Sequence, residues 1–318
     1  MPLPAAQESY SGRVNEITLG GGTRKTTVTI GGAKTIAYGG DRATTGRRPV
    51  IAIDVLDTAP TDWAPPLVEA YRDVFDDPAA WAKKAVEKFG ADLVCLKLDG
   101  IHPDKGNRAA DHAVAVTRKV LAAVGCPIIL WGCGNDEKDN AVMPKVSEAA
   151  KGENVLLGTV SQDNYKNLTA MALADGHFLI AQAPLDINIA KQCNILVSDM
   201  GFPLERMVMF QTTGALGYGM EYAYSIQERE RLAALSGDKL MALPVICDIG
   251  YEAWRAKEAK IATAEAPKWG DADRRGPLWE AATAVALLQS GVDILRMRHP
   301  AAVATVKAYI DSVWGSAK

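Results

Sequence analysis

The 318-residue sequence predicts an α/β fold, a (β/α)₈ TIM barrel with an N-terminal β-hairpin extension. From residue 50 onward, eight apolar runs of strand length alternate with long, alanine-rich amphipathic segments, which is typical of βα units on a parallel sheet. Eight such units are the number that closes a barrel. Before residue 50, short β-prone runs alternate with glycine groups, which indicates hairpins. A doubly wound open sheet ranks second, because it usually has fewer strands and often a glycine-rich first turn.

The N-terminal region carries β-prone runs at residues 14–19 and 26–30, which predict one or two hairpins. The motif GGGTRKTT at residues 20–27 resembles a phosphate-binding loop, but Arg24 stands where that motif needs a glycine, so we favour a hairpin turn. Because this region precedes the first barrel strand, it is expected at the bottom of the barrel. We therefore divide the chain into residues 1–48, an extension that caps the barrel bottom, and residues 49–318, the barrel.

The barrel strands are predicted at residues 50–54, 93–98, 128–131, 155–157, 178–181, 207–210, 244–247 and 294–297. A closing helix is predicted at residues 301–314. Pro277 suits the first turn of the preceding helix, and Gly291 lies where the C-terminal cap of that helix belongs. Residues 248–277, which include Trp254 and Trp269, form the longest predicted connection, and a loop this long is commonly functional.

Composition excludes several classes of protein. The formal net charge is -3 and the basic residues are scattered, so a nucleic-acid partner is not expected. The cysteines are widely spaced without a C-x-x-C pair and the histidines share no metal-binding spacing, so no metal or cluster site is predicted on this chain. The first residues are too polar for a signal peptide and no apolar stretch is long enough to span a membrane, so we expect a cytoplasmic protein.

Known catalytic and cofactor motifs are also missing. The segment GCGNDE at residues 132–137 has Glu137 in place of the last glycine of a dinucleotide fingerprint and follows the third strand instead of the first. There is no G-x-S-x-G nucleophile motif. No residue is therefore predicted to be catalytic, and nicotinamide binding is not supported.

The informative pattern is a ring of polar or small residues at the carboxyl ends of the strands, where barrel active sites are built. Its members are Asp54, Asp99, Asn135, Asp186, Asn188, Gln211, Thr212, Thr213, Gly214 and Asp248. Any one of the acids can simply cap a following helix. Together, the carboxylates and amides can bind the edge of a polar heterocycle such as a pterin, which makes an enzyme. Alternatively, QTTG at 211–214 and GYGMEY at 217–222 can admit a broad, flat macrocycle, or they can form a glycine-rich loop without a ligand.

Six segments resemble the small subunit of the corrinoid iron-sulfur protein, the acetyl-CoA decarbonylase/synthase delta subunit family. They are VIAIDVLD at 50–57, LVCLKLDG at 93–100, PIILWGCGNDEKD at 127–139, APLDINIAKQ at 183–192, MFQTTGALGYGMEY at 209–222 and PVICDIGYEAW at 244–254. The resemblance spans nearly the whole chain. It implies a barrel that pairs with a larger subunit carrying a [4Fe-4S] cluster and the main corrinoid-binding domain, with cobalamin between that domain and the barrel mouth. The corrinoid takes a methyl group from methyltetrahydrofolate, through its methyltransferase, and delivers it to acetyl-CoA synthase in the reductive acetyl-CoA pathway of anaerobes.

On that resemblance, we expect a lid over the cobalamin, a heterodimeric and non-catalytic role, an exposed apolar barrel mouth, and a partner contact at Trp254. The expected cofactor-binding residues are Gln211, Thr212, Thr213, Gly214, Gly217, Tyr218 and Gly219, with Asn135 and Asp186 as outer members. The D-x-H-x-x-G motif of a histidine lower ligand is absent, and His102 in DGIHPDKG fails its spacing. Two alternatives stay open: an autonomous pterin-dependent methyltransferase and a purely structural barrel that clamps its partner. The methyltransferase would use Asp54, Asp99, Asn135, Asn188 and Asp248.

Overall fold

The computed structural model describes residues 9–36 and 45–315 and confirms the predicted barrel. A two-stranded antiparallel hairpin precedes eight parallel strands that form a closed barrel. The strands are β1 (Glu16–Gly20), β2 (Thr27–Gly31), β3 (Val50–Leu56), β4 (Leu93–Lys97), β5 (Ile128–Trp131), β6 (Leu156–Val160), β7 (Phe178–Ala183), β8 (Met207–Gln211), β9 (Val245–Cys247) and β10 (Ile294–Met297). Pairing of β10 with β3, Ile294 opposite Val50, closes the barrel.

Helices surround the barrel in the order expected of βα units. They are α1 (Pro65–Tyr71), α2 (Pro78–Glu87), α3 (Ala110–Ala123), α4 (Asp136–Ala149), α5 (Tyr165–Asp175), α6 (Ile187–Asp199), α7 (Met220–Leu235), α8 (Ile249–Ala253), α9 (Lys257–Lys260), α10 (Ala272–Gln289) and α11 (Pro300–Trp314). The predicted closing helix is α11. Within the described residues, no helix has the length and apolar character needed to cross a bilayer.

Alternation along the strands sorts the side chains into two cores. On β3, Ile51 and Ile53 point outward to the helices, whereas Val50 and Ala52 point into the barrel. Two residues further along, the inward-facing position at the carboxyl end of β3 is Asp54. The same alternation makes the upper interior of the barrel polar, while its middle and lower layers are apolar.

The N-terminal hairpin packs into the lower interior. Ile17, Leu19 and Ile30 are buried and belong to the same cluster as the inward-facing strand residues. The GGGTRK segment is the hairpin turn, as predicted, and Arg24 anchors it by donating to the Glu153 carboxylate at 2.6 Å and to the Val124 carbonyl at 2.8 Å. The hairpin therefore covers the apolar end of the barrel opposite the polar strand ends.

Two local predictions at the C-terminal end of the chain had different outcomes. Gly291 has a φ of 104° directly after α10, so the expected glycine at the helix end is confirmed. Pro277 lies inside α10 and not in its first turn, because the helix begins at Ala272 with Asp271 as its N-cap. The prediction of a long loop at 248–277 was also wrong, since the helices α8 and α9 lie within these residues.

A polar binding site at the barrel mouth

The carboxyl ends of the strands enclose a cavity of about 360 Å³, which we call the mouth cavity. It is lined by Lys97, Asp99, His102, Lys105, Trp131, Cys133, Gly134, Thr159, Gln182, Phe210, Thr212, Asp248, Tyr251 and Glu252. These residues come from the ends of β4 to β9 and from the segments that follow them. The cavity is therefore at the position where barrels of this kind bind their ligands.

A fully buried arginine contacts two residues of the cavity lining, Trp131 and Asp248. Arg296 on β10 donates from Nε to Asp54 Oδ1 at 2.5 Å and from Nη2 to Asp54 Oδ2 at 3.1 Å. Its third bond runs from Nη1 to Asp248 Oδ2 at 2.8 Å. Arg298 adds a bond from Nε to Asp54 Oδ2 at 2.9 Å. The two arginines and two aspartates have no net formal charge, which is the condition under which buried charges are tolerated.

The guanidinium of Arg296 also lies 4.4 Å from the ring centroid of Trp131, in a cation–π contact. Burial opposes its charge, but Asp248 and Asp54 more than offset burial and hold the pKa of Arg296 above its usual range. Arg296 therefore stays charged, and it fixes the orientation of both aspartates.

Asp248 keeps one oxygen free. Its Oδ1 is buried and has no hydrogen-bond partner among the described residues, while Oδ2 accepts from Arg296. Its backbone N–H donates to Thr213 Oγ1 at 2.9 Å, which fixes the start of the segment after β9. Burial raises the pKa of Asp248, although the positive charge of Arg296 opposes this. The free oxygen is an acceptor that a ligand can use.

Lys97 supplies a cation to the same cavity. Its Nζ donates to the Gly132 carbonyl at 2.6 Å, and burial lowers its pKa although the negative charge of Asp99 opposes this. Asp99 pairs with Lys105 at 2.7 Å. Lys97 therefore retains N–H donors that are held at the barrel end by a bond to the backbone.

Two further groups at the mouth have altered acidity. Burial raises the pKa of Glu252, and its partner Arg255, at 3.0 Å, opposes that shift. Burial also raises the pKa of the Cys133 thiol to about 12, so this cysteine is not a nucleophile at neutral pH. The chemistry available at the mouth is therefore hydrogen bonding and charge stabilisation by Lys97, Asp99, Asp248 and Glu252.

The predicted loop residues have different environments. Thr212 lines the mouth cavity and donates from Oγ1 to the Ala183 carbonyl at 3.2 Å. Gln211 and Thr213 are buried, and neither amide atom of Gln211 has a partner among the described residues. Gly214 is also buried, and a Cβ there would lie 2.3 Å from the Gly219 carbonyl oxygen.

The remaining part of the loop reaches the surface. Gly217 and Tyr218 are exposed, and Gly219 precedes α7 with a φ of 88°. The Tyr218 hydroxyl donates to Glu258 in α9 at 2.8 Å, which ties the loop to the segment after β9. Thr212 and the 217–219 turn are thus the predicted loop members that a ligand above the mouth can contact.

Asn135 and Asp186 are both helix caps. Asn135 Oδ1 accepts from the Lys138 N–H at 2.9 Å at the start of α4. Asp186 Oδ1 accepts from the Asn188 N–H at 2.7 Å at the start of α6. Neither residue lines the mouth cavity. The capping interpretation therefore accounts for both side chains.

Two expectations about the mouth were wrong. Trp254 is only 4% exposed and donates from Nε1 to Glu280 at 2.6 Å, so its side chain is committed to the interior. The mouth is also not an apolar surface, because charged strand-end residues line it together with aromatic ones. Exposed aromatic side chains are found at Tyr218, Tyr222 and Tyr251.

Sequence reasoning missed the lining residues Lys97, Lys105, Gln182, Tyr251 and Glu252. It also missed Arg296, the buried cation that bonds Asp248. The predicted ring contains acids, amides and small residues at the carboxyl ends of the strands, but bases at the same positions were not included. The segments LVCLKLD and ILRMR place Lys97 and Arg296 on the same inward-facing positions as the acids. Both are found when all inward-facing polar residues near the carboxyl end of each strand are considered, bases included.

The chain has the barrel fold of the dihydropteroate synthases. The dihydropteroate synthase of Thermus thermophilus superimposes with a TM-score of 0.55 at 17% sequence identity, over 93% of this chain and 98% of that chain. The enzyme from Coxiella burnetii, whose structure contains pteroic acid, gives a TM-score of 0.55 at 13% identity, over 86% of this chain and 98% of that chain. At these identities the likeness defines the fold alone.

Sequence comparison is more specific. Residues 16–264 match the family described as CO dehydrogenase/acetyl-CoA synthase delta subunit. The acetyl-CoA decarbonylase/synthase complex subunit delta of Archaeoglobus fulgidus is 40% identical over 319 residues, covering 97% of this chain and 70% of that protein. The subunit delta of Methanothermobacter thermautotrophicus is 37% identical over 307 residues, covering 95% of this chain and 77% of that protein. The chain belongs to the CO dehydrogenase/acetyl-CoA synthase delta subunit family.

Proposed function

We propose that this chain is the small, non-catalytic subunit of a heterodimeric corrinoid iron-sulfur methyl carrier. In this role it covers cobalamin while a methyl group passes from methyltetrahydrofolate to acetyl-CoA synthase in the reductive acetyl-CoA pathway. The observation that carries the proposal is the family match: relatives 40% and 37% identical to this chain, over nearly its whole length, are named as subunits of an acetyl-CoA decarbonylase/synthase complex.

A subunit needs partners, and we propose that the first of them is a larger chain. That chain would carry the [4Fe-4S] cluster and the main corrinoid-binding domain, as the family resemblance implies. Among the described residues, no group of three or more His, Cys, Asp or Glu is arranged to hold a metal ion. We propose a cytoplasmic location for the assembled carrier.

The mouth of the barrel fits a corrinoid that lies across it. The cavity of about 360 Å³ has room for roughly ten water molecules, so it would admit peripheral groups of the macrocycle but not the whole ring. Glycines leave open space around the mouth: a Cβ on Gly134 would meet nothing within 4 Å, and Gly217 is exposed. When bound, the corrinoid supplies a cobalt that accepts and releases a methyl group. Thr212 and the 217–219 turn would hold the edge of the ring and exclude water from its face.

The first test is anaerobic purification of the protein from its native cells, with its subunit composition and visible spectrum recorded. We expect a stoichiometric larger subunit together with corrinoid and iron-sulfur absorption. A colourless homo-oligomer would contradict the carrier role.

A matched pair of variants tests the lid. Thr212→Phe places a bulky ring at the mouth, and Thr305→Phe makes the same change on the exposed face of α11. Corrinoid retention by the purified complex should fall for Thr212→Phe and stay unchanged for Thr305→Phe. Equal retention by both variants would favour a purely structural barrel that clamps its partner without touching the corrin.

The polar mouth favours one alternative, an autonomous pterin-dependent methyltransferase. The free Oδ1 of Asp248 and the carboxylate of Asp99 are acceptors suited to a pterin ring. Against it, both oxygens of Asp54 are occupied by arginines, and Asn135 is committed to capping α4. This alternative predicts a homo-oligomer without corrinoid that binds methyltetrahydrofolate by itself, which calorimetry would detect.

A further inference from the structure

We propose that the mouth cavity is a recognition site for an amide edge, a C=O and an N–H on neighbouring atoms, which Lys97 and Asp248 bind as donor and acceptor. The first observation is the free oxygen of Asp248. This side chain is 7% exposed and lines the cavity, yet its Oδ1 has no hydrogen-bond partner in the described parts of the chain. A buried carboxylate oxygen left without a donor is costly, so a ligand N–H is its natural complement.

Lys97 provides the complementary donor. One of its three N–H groups bonds the Gly132 carbonyl at 2.6 Å, and the others are available to the cavity that the side chain lines. Lys97 and Asp248 both line the mouth cavity. A ligand in the cavity therefore meets a hydrogen-bond donor at Lys97 and an acceptor at Asp248.

The free oxygen of Asp248 favours a ligand group that donates a hydrogen bond over an anion. Each acid of the lining has its own cation: Asp99 with Lys105 at 2.7 Å, Asp248 with Arg296 at 2.8 Å, and Glu252 with Arg255 at 3.0 Å. Among the described residues, no acid lies within ion-pair distance of Lys97, whose Nζ bonds a carbonyl instead. An amide satisfies the remaining donor and acceptor without adding charge, whereas a dianion such as phosphate would face Asp248.

The cavity walls restrict the shape of the ligand. Trp131 and Phe210 contact each other edge to face, with ring centroids 4.9 Å apart, and both line the cavity together with Tyr251. Aromatic side chains in a cavity wall favour a planar group packed against them. Gln182 adds a further amide to the lining.

Two sources carry this chemistry, and naming them rests on the proposed function. One is a primary carboxamide on the periphery of the corrinoid, and the other is the ring lactam of the tetrahydrofolate methyl donor. Both present a planar C=O and N–H to the same pair of side chains, so the two sources must be distinguished by experiment.

The experiment is calorimetric titration of the purified chain, with any subunit that co-purifies and after removal of bound corrinoid. The probes are dicyanocobinamide, which carries peripheral carboxamides, cobyrinic acid, in which these are carboxylic acids, and tetrahydrofolate. The variants are Lys97→Met and Asp248→Asn, and the control is Lys260→Met on the exposed surface of α9. Near-UV circular dichroism checks the fold. Lys97→Met keeps the test valid if Asp248→Asn does not fold.

We expect at least one amide probe to bind the wild-type protein and to lose tenfold or more of its affinity in Lys97→Met. The control should match the wild type. Loss confined to dicyanocobinamide, with weaker binding of cobyrinic acid to the wild type, identifies the corrinoid carboxamide, and loss confined to tetrahydrofolate identifies the lactam. Unchanged affinities in folded variants, or no binding of any probe, would overturn the amide site. Co-purification of a corrinoid-containing partner is scored separately, so the carrier proposal survives or fails independently.

Discussion

Replacing Arg296 with methionine should destabilise the barrel far more than the loss of one surface charge. The substitution removes two of the three hydrogen bonds that Asp54 accepts from arginine, and the one side-chain bond of Asp248. Arg298 remains, so the cluster changes from no net formal charge to one unbalanced negative charge in a buried site. Removing one partner of a buried pair costs about 3–5 kcal/mol, and the cation–π contact with Trp131 is lost as well.

The assay is urea denaturation, with thermal unfolding as a second measure. We expect the free energy of unfolding to fall by about 3–5 kcal/mol. At about 2 °C for each kcal/mol, the melting temperature should fall by roughly 6–10 °C. The control is Arg72→Met, because the side chain of Arg72 is 69% exposed and its ion pair with Glu69 is on the surface. This variant should be indistinguishable from the wild type.

A double variant isolates the charge effect. Adding Asp248→Asn to Arg296→Met removes the unbalanced charge, so the double variant should be less destabilised than the sum of the two single variants. Strict additivity, or a loss below about 1 kcal/mol for Arg296→Met, would refute the view that a balanced buried cluster supports the mouth.

Three further outcomes follow from other buried groups. Burial raises the pKa of Glu230 to about 8, so between about pH 4.5 and 8 the carboxyl is protonated in the folded protein but ionised in the unfolded chain. The free energy of unfolding of the wild type therefore falls as pH rises through that window. In urea denaturation, Glu230→Gln should become more stable relative to the wild type by about 1.4 kcal/mol per pH unit there, and a difference that does not change with pH would contradict this. Ile30→Ala in the hairpin should cost about 2–5 kcal/mol, and more than the half-buried Val28→Ala, by the same assay. Trp254→Phe removes the donor to Glu280 and should cost about 1–3 kcal/mol, whereas an unchanged urea midpoint would show that this bond contributes nothing.

The barrel could be predicted because parallel strands covered on both sides leave a strong apolar pattern. The predicted strands at 128–131 and 294–297 coincide with β5 and β10. Pro277 was misplaced because proline is tolerated where few hydrogen bonds are lost, and α10 starts only five residues before it. Sequence alone does not specify how far upstream a cap such as Asp271 begins the helix.

The site was harder to predict, because the sequence indicates where along a strand a residue lies but not which hydrogen-bond partners its side chain has. Asp248 was identified from its position, yet its one free oxygen depends on how Arg296 is shared with Asp54. Asn135 and Asp186 stand at strand ends like true lining residues, and their commitment to helix caps depends on side-chain rotamers. Conformation, not residue type, separates these cases.

The hairpin that packs into the barrel has a consequence for the order of folding. Ile17 and Leu19 are made early in synthesis, but the cluster that buries them includes Ile294, about 275 residues later in the sequence. The contact between β10 and β3 spans a similar distance, and such long loops close slowly. The burial of the hairpin is therefore complete only when the last strand arrives. Shielding of Ile17 from solvent would report the closing of the barrel in a refolding experiment.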